Sequence, residues 1–125
     1  MKHEAFLEKL IAILDRSAIA YRQYINEGKP FQLAQQLKLH NGNALQWLKE
    51  NGSLLPIRFQ GDIQSLITHY SEWSHKWEKL NAEKEFGPDE VFVFANDITF
   101  PKQAAQNLEA FYKEISQPPA TLHGK

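Results

Sequence analysis

The stretch IQSLITHYSEWSHKWEKL, residues 63–80, decides the fold class. Its large apolar residues are Ile63, Leu66, Tyr70, Trp73, Trp77 and Leu80, which fall 3, 4, 3, 4 and 3 positions apart. Alternating steps of three and four place all six on one stripe of an α-helix, whereas a half-buried strand would need a period of two. Asp62 can cap this helix at its start, and Gly87-Pro88 breaks it, so the spacing predicts a long helix over about 62–86.

Towards the N-terminus a second stripe repeats the pattern. Leu7, Leu10, Leu14, Ser17, Tyr21 and Tyr24 step by 3, 4, 3, 4 and 3, which predicts a helix over about 2–26, stopped by Gly28. Phe6, Ile11, Ile13, Ala18 and Ile25 widen its apolar face, leaving room for more than one partner helix. Ser17 is the polar member of the stripe and is expected to bond back to the preceding turn. Two such stripes argue for a bundle, the two long helices packing antiparallel.

Two short helices are expected between them. Pro30 suits a first-turn position, and Phe31, Ala34, Leu37 and Leu39 carry helical spacing. Asn41-Gly42 signals a turn, Asn43 can cap a helix over about 44–51, and Gly52 ends it. Residues 53–61 read as an irregular, partly buried loop, because Leu54, Leu55, Ile57 and Phe59 are too apolar to leave in water. Val91-Phe92-Val93-Phe94 reads as an apolar connector, extended or helical. A last helix is expected over about 101–116, with Asp97 or Thr99 near its start, and Pro118-Pro119 leads a disordered tail at 117–125. The expectation is an all-α bundle in one domain, residues 1–116.

Composition narrows the classes of function. The 125 residues are 42% hydrophobic and 23% charged, as in globular rather than disordered chains. The absence of cysteine rules out disulfides, thiolate zinc sites and a cysteine nucleophile. Glu4, Glu8, Lys9, Asp15 and Arg16 interrupt the first 25 residues, so no signal peptide or membrane span is expected, and the cytoplasm is the expected compartment. The net charge of −1 hides an asymmetry. Lys29, Lys38, Lys49 and Arg58 face Glu50 alone over residues 29–61, whereas eight acids outnumber three lysines over 62–97.

Candidate chemistry is sparse. His69, Glu72 and His75 form the most enzyme-like cluster, and Glu72-x-x-His75 has the spacing by which helices hold metal in carboxylate-bridged di-iron bundles. Such a site needs two of these pairs, and Glu72 and His75 lie opposite the Tyr70-Trp73-Trp77 stripe, so they are expected in solvent, with Glu72 able to pair with Lys76. Neither a phosphate-binding glycine loop nor a nucleophile elbow occurs. Trp73 and Trp77 could offer a stacking platform, but on the stripe they read as core.

Residues 31–52 have a recognisable shape. Ala34, Leu37, Leu39, Ala44 and Trp47 fill the small and apolar positions in a way that resembles the helix-turn-helix of phage-repressor-like DNA-binding proteins. That resemblance implies that Asn41, Asn43, Gln46 and Lys49, with His40, face DNA. An ordinary αα-hairpin fills the same positions equally well. Three functional expectations follow in order: a non-enzymatic interaction or regulatory protein that binds a protein partner or itself, without a cofactor; a helix-turn-helix regulator; and, at a distance, a metal-dependent enzyme at Glu72 and His75.

Overall fold

In the computed structural model, residues 3–94 and 98–116 are described. They form four α-helices: α1 (His3–Asn26), α2 (Phe31–Asn51), α3 (Gln60–Asn81) and α4 (Lys102–Ser116), with 3-10 turns at Gly52–Leu54 and Ile57–Phe59. The all-α bundle read from the sequence is the observed architecture. The expected tail at 117–125, the start of α1 at Lys2 and the helix-start candidate Asp97 lie outside the described residues.

The two short helices expected over 31–51 are one helix, α2, which passes through Asn41-Gly42 without a turn. Its buried residues explain this. Phe31, Ala34, Leu37, Asn41, Ala44 and Leu48 make one stripe in which Asn41 occupies a core position instead of a turn. A side chain at Gly42 would meet nothing within 4 Å, so the glycine costs only backbone entropy, about 1 kcal/mol in a helix interior. Gly42→Ala is therefore expected to stabilise the protein by about 0.5–1 kcal/mol in chemical denaturation. Gly52→Ala should do the reverse. Its Cβ would stand 2.6 Å from Cγ2 of the buried Ile63, and overpacking of this kind costs about 1–3 kcal/mol.

A full-length α2 also changes the pairing of the long helices. Each of α1 and α3 packs on α2 and on α4. Contacts between α1 and α2 join the end of one to the start of the other, as where Ser17 meets Asn41 and Phe6 stacks on Trp47. The α2–α3 contacts behave likewise, Trp77 reaching Ala34 and Gly52 abutting Ile63. So α1 and α3 run in the same sense and are each antiparallel to α2, not to one another as their stripes suggest. An unbroken α2 of 21 residues fills the slot that two short helices would have left.

Helix ends follow local chemistry. Gly28 (φ 87°) and Lys29 (φ 62°) turn the chain left-handed after α1, where the Lys29 amide bonds Tyr24 O at 2.8 Å. The free amides that open α2 are taken by the connector. Phe31 N–H donates to Glu90 O at 2.7 Å and Gln32 N–H to Pro88 O at 3.0 Å. Helix α3 begins at Gln60, two residues before the expected Asp62 cap, because the Gln60 side-chain Nε2 donates to both Gly52 O and Leu55 O at 3.0 Å and ties the 3-10 turns together. It stops at Asn81 rather than near Phe86, since Phe86 turns back to stack on Phe31 at 5.4 Å and meet Phe92 edge-on at 4.9 Å. Residues 91–94 are extended: Val91 and Val93 face solvent while Phe92 is fully buried. In the 53–61 loop Leu55 is buried, but Ile57 is 89% exposed, against the expectation that its apolar residues all turn inward.

Two apolar clusters result. Phe6, Leu10, Leu48, Leu66 and Leu108 centre one, where all four helices meet. Tyr24, Phe31, Trp73, Trp77 and Phe92 centre the other, where the 91–94 connector stands in place of α4. Trp73 and Trp77 are core, at 8% and 6% exposure.

Candidate functional site

At the level where the two clusters meet, the stripes of α1 and α2 each place a polar residue. Ser17 occupies that level on α1 and Asn41 on α2, and both are buried, Asn41 at 4% exposure. The Ser17 hydroxyl donates to Asn41 Oδ1. Ser17 also shares a hydrogen bond with Tyr70 of α3, whose phenol is pushed up to about 12 by burial. Three helices are thus joined by one polar chain, and Ser17 bonds across to α2 and α3 instead of back along α1 as the sequence suggests.

A cavity of about 440 Å³ opens beside this chain. Its polar lining is Ser17, Asn41, His69, Tyr70 and Thr99. Its apolar walls are Leu14 and Tyr21 from α1, Leu37 from α2, Trp73 from α3, and Ile98 and Phe100 ahead of α4. Among the described residues no Asp, Glu, Lys or Arg side chain lines it. Phe100 closes one side by meeting the His69 ring edge-on at 5.3 Å and the Tyr70 ring at 6.4 Å.

His69 is the unusual group. Burial holds its imidazole below the ordinary histidine range, opposed by a hydrogen bond to the Thr99 backbone and by the Glu72 charge. Its Nδ1 is buried without a hydrogen-bond partner. A depressed folded-state value means that the neutral ring stabilises the fold at pH above about 6.5, and that this contribution is lost as pH falls through the folded value. The ring-proton NMR titration of His69 is expected to have its midpoint below 6.5.

No family model, curated protein or solved structure matches this chain.

The candidate site residues singled out from the sequence are spread over the surface, with Asn41 and His69 the exceptions. Glu72 and His75 are exposed on the outer face of α3, beside a shallow depression that Ser71, Lys76 and Ile98 also border. His69, read with them, turns inward to the cavity instead. Among the described residues no three His, Cys, Asp or Glu side chains are grouped to hold a metal ion. Asn43, Gln46 and Lys49 are exposed on α2, and Gln46 donates to Glu50 at 3.1 Å. Asn41 faces the interior, not a DNA-facing surface, because α2 does not turn there. Sequence reasoning missed the cavity and its polar chain. The available signal was that Ser17 and Asn41 each interrupt an otherwise apolar stripe.

Proposed function

We propose that this protein works by binding, not catalysis, and that the cavity between α1, α2 and α3 is a small-molecule site. The observation that carries this reading is the cavity itself: about 440 Å³, largely apolar, with a few converging polar groups. Ligand sites in helical bundles have this size and this make-up. The arrangement of Ser17 supports a non-enzymatic role. Its hydroxyl donates to Asn41 Oδ1, an amide oxygen that cannot act as a general base, so no Ser–His pair is assembled for nucleophilic attack.

Titrating uncharged fragments of one to three rings into labelled protein tests the reading. Saturable amide shifts are expected at residues 14–21, 37–41, 69–73 and 98–100, with a rise in Tm. At a hundredfold excess over Kd that rise corresponds to about 2.7 kcal/mol. Absence of saturable shifts at these residues, or shifts confined elsewhere, contradicts it.

A second reading, a protein partner or a second copy of the chain, is favoured by a different observation. The C-terminal half of α1 is not covered by α4, and Ile19, Tyr21 and Ile25 remain exposed there. Light scattering after size exclusion tests the self-association form, for which a concentration-dependent dimer is expected. A DNA-binding role would rest on exposed Asn43, Gln46 and Lys49, and salt-sensitive retention on duplex DNA is the result that would favour it.

A further inference from the structure

This inference rests on the ligand-site reading above and concerns the chemistry of what the cavity accepts. Three features of the lining restrict it. The first is charge. An ion entering a site whose described lining carries no charged side chain loses hydration and gains no counter-charge from that lining, so a charged ligand is disfavoured. The second is size and shape. A cavity of roughly 150 Å³ takes one benzene ring. The space here is about 440 Å³ and is walled by the flat faces and edges of Tyr21, Trp73 and Phe100, which suits a planar body of two fused rings with short substituents.

The third feature is an unmet hydrogen bond. The His69 ring feels the Thr99 backbone on one side, and its Nδ1 has no partner. The Thr99 backbone favours the charged ring, the effect of a carbonyl beside the other nitrogen, Nε2, and this assigns the proton of the neutral ring to Nε2. A neutral ring whose Nε2 carries the proton presents a lone pair at Nδ1. A buried acceptor left in this state costs free energy until a donor reaches it. Among the described lining groups the Ser17 proton is already given to Asn41, and His69 Nδ1 is the buried side-chain atom left without a partner.

We propose that the cavity selects an uncharged, planar aromatic molecule of about two fused rings that carries a hydroxyl or ring N–H donating to Nδ1 of His69. Phenols and indole-like heterocycles have this chemistry; carboxylates, amines and donor-free hydrocarbons do not.

The test compares three probes of one shape: 2-naphthol, 2-methoxynaphthalene and 2-naphthoate. Affinities are measured by calorimetry on the full chain, and the binding place by amide NMR. The neutral donor, 2-naphthol, is expected to bind roughly tenfold more tightly than the ether, the usual worth of one net hydrogen bond. The anion should not saturate. In His69→Phe the naphthol should fall to the level of the ether. Because that variant can also lose stability, the ring-nitrogen NMR spectrum of the unaltered protein supplies a second readout. Only the Nδ1 signal of His69 should shift when naphthol binds, and not when the ether binds.

Equal affinity for naphthol and ether, or tighter binding of the anion, overturns the inference. If these probes still move the cavity amides, the ligand-site reading survives. Silence from all three probes overturns the inference as well, and the ligand-site reading falls only if the wider fragment set is silent too.

Discussion

Replacing Phe92 with alanine is expected to destabilise the protein by about 3–5 kcal/mol, the range for emptying a buried aromatic site. Phe92 lies in a connector, where a substitution would ordinarily be harmless, yet it is fully buried. Its ring packs against Phe31 at 5.2 Å, Trp77 at 4.9 Å and Phe86 at 4.9 Å. Its amide donates to Lys29 O at 2.9 Å, and its carbonyl accepts from the Tyr24 hydroxyl, so the segment is anchored at both edges of the ring. No helix takes the place of the lost ring, because α4 belongs to the other cluster. For a domain of this size the loss should lower Tm by roughly 10–20 °C, read by circular dichroism. The neighbours provide the control. Val91 is 64% exposed and Val93 faces solvent as well, so alanine at either position should change stability by less than about 0.5 kcal/mol. Equal effects at 91, 92 and 93 would contradict the alternation on which the connector's role depends.

Leu66→Ala should cost about 2–5 kcal/mol, for the opposite cluster. Leu66 is fully buried in the first half of α3, at the level where α1, α2 and α4 converge. The cavity left behind has helices on every side, so it cannot collapse by moving a loop, which places the expected cost in the upper half of the range. Guanidinium denaturation with an unchanged m-value would show a change in stability alone. Leu66 and Phe92 belong to different clusters, so their effects should add, and the sum approaches the roughly 5–15 kcal/mol that holds an ordinary domain together. The double variant is expected not to fold.

The all-α class was readable because the helix period is written in large residues. Trp73, Trp77 and Leu66 leave no other reading of α3, and Ala104, Leu108 and Phe111 are the buried residues of α4. What escaped was the part carried by small polar residues. Asn41-Gly42 has the local chemistry of a turn, and only the presence of Ser17 on a facing helix makes Asn41 a core residue. That partner lies 24 positions away, beyond the reach of local preference. The antiparallel pairing of the long stripes failed for the same cause, since an α2 broken into two short helices leaves α1 and α3 no other neighbour. The cavity escaped because spacing reports which residues turn inward, but not where their packed surfaces fail to meet. His69 shares a helix with exposed His75, and the turn between them decides which is buried and which is wet.

Fold, polar chain and cavity all require that α2 runs unbroken past Asn41. Backbone hydrogen exchange at Asn41, Gly42 and Asn43 measures this directly. The amides should exchange as slowly as those of Leu37 and Leu48, opening only with the fold as a whole. Exchange at the rate of an unprotected turn would mean that two short helices meet there, and that Asn41 does not reach Ser17.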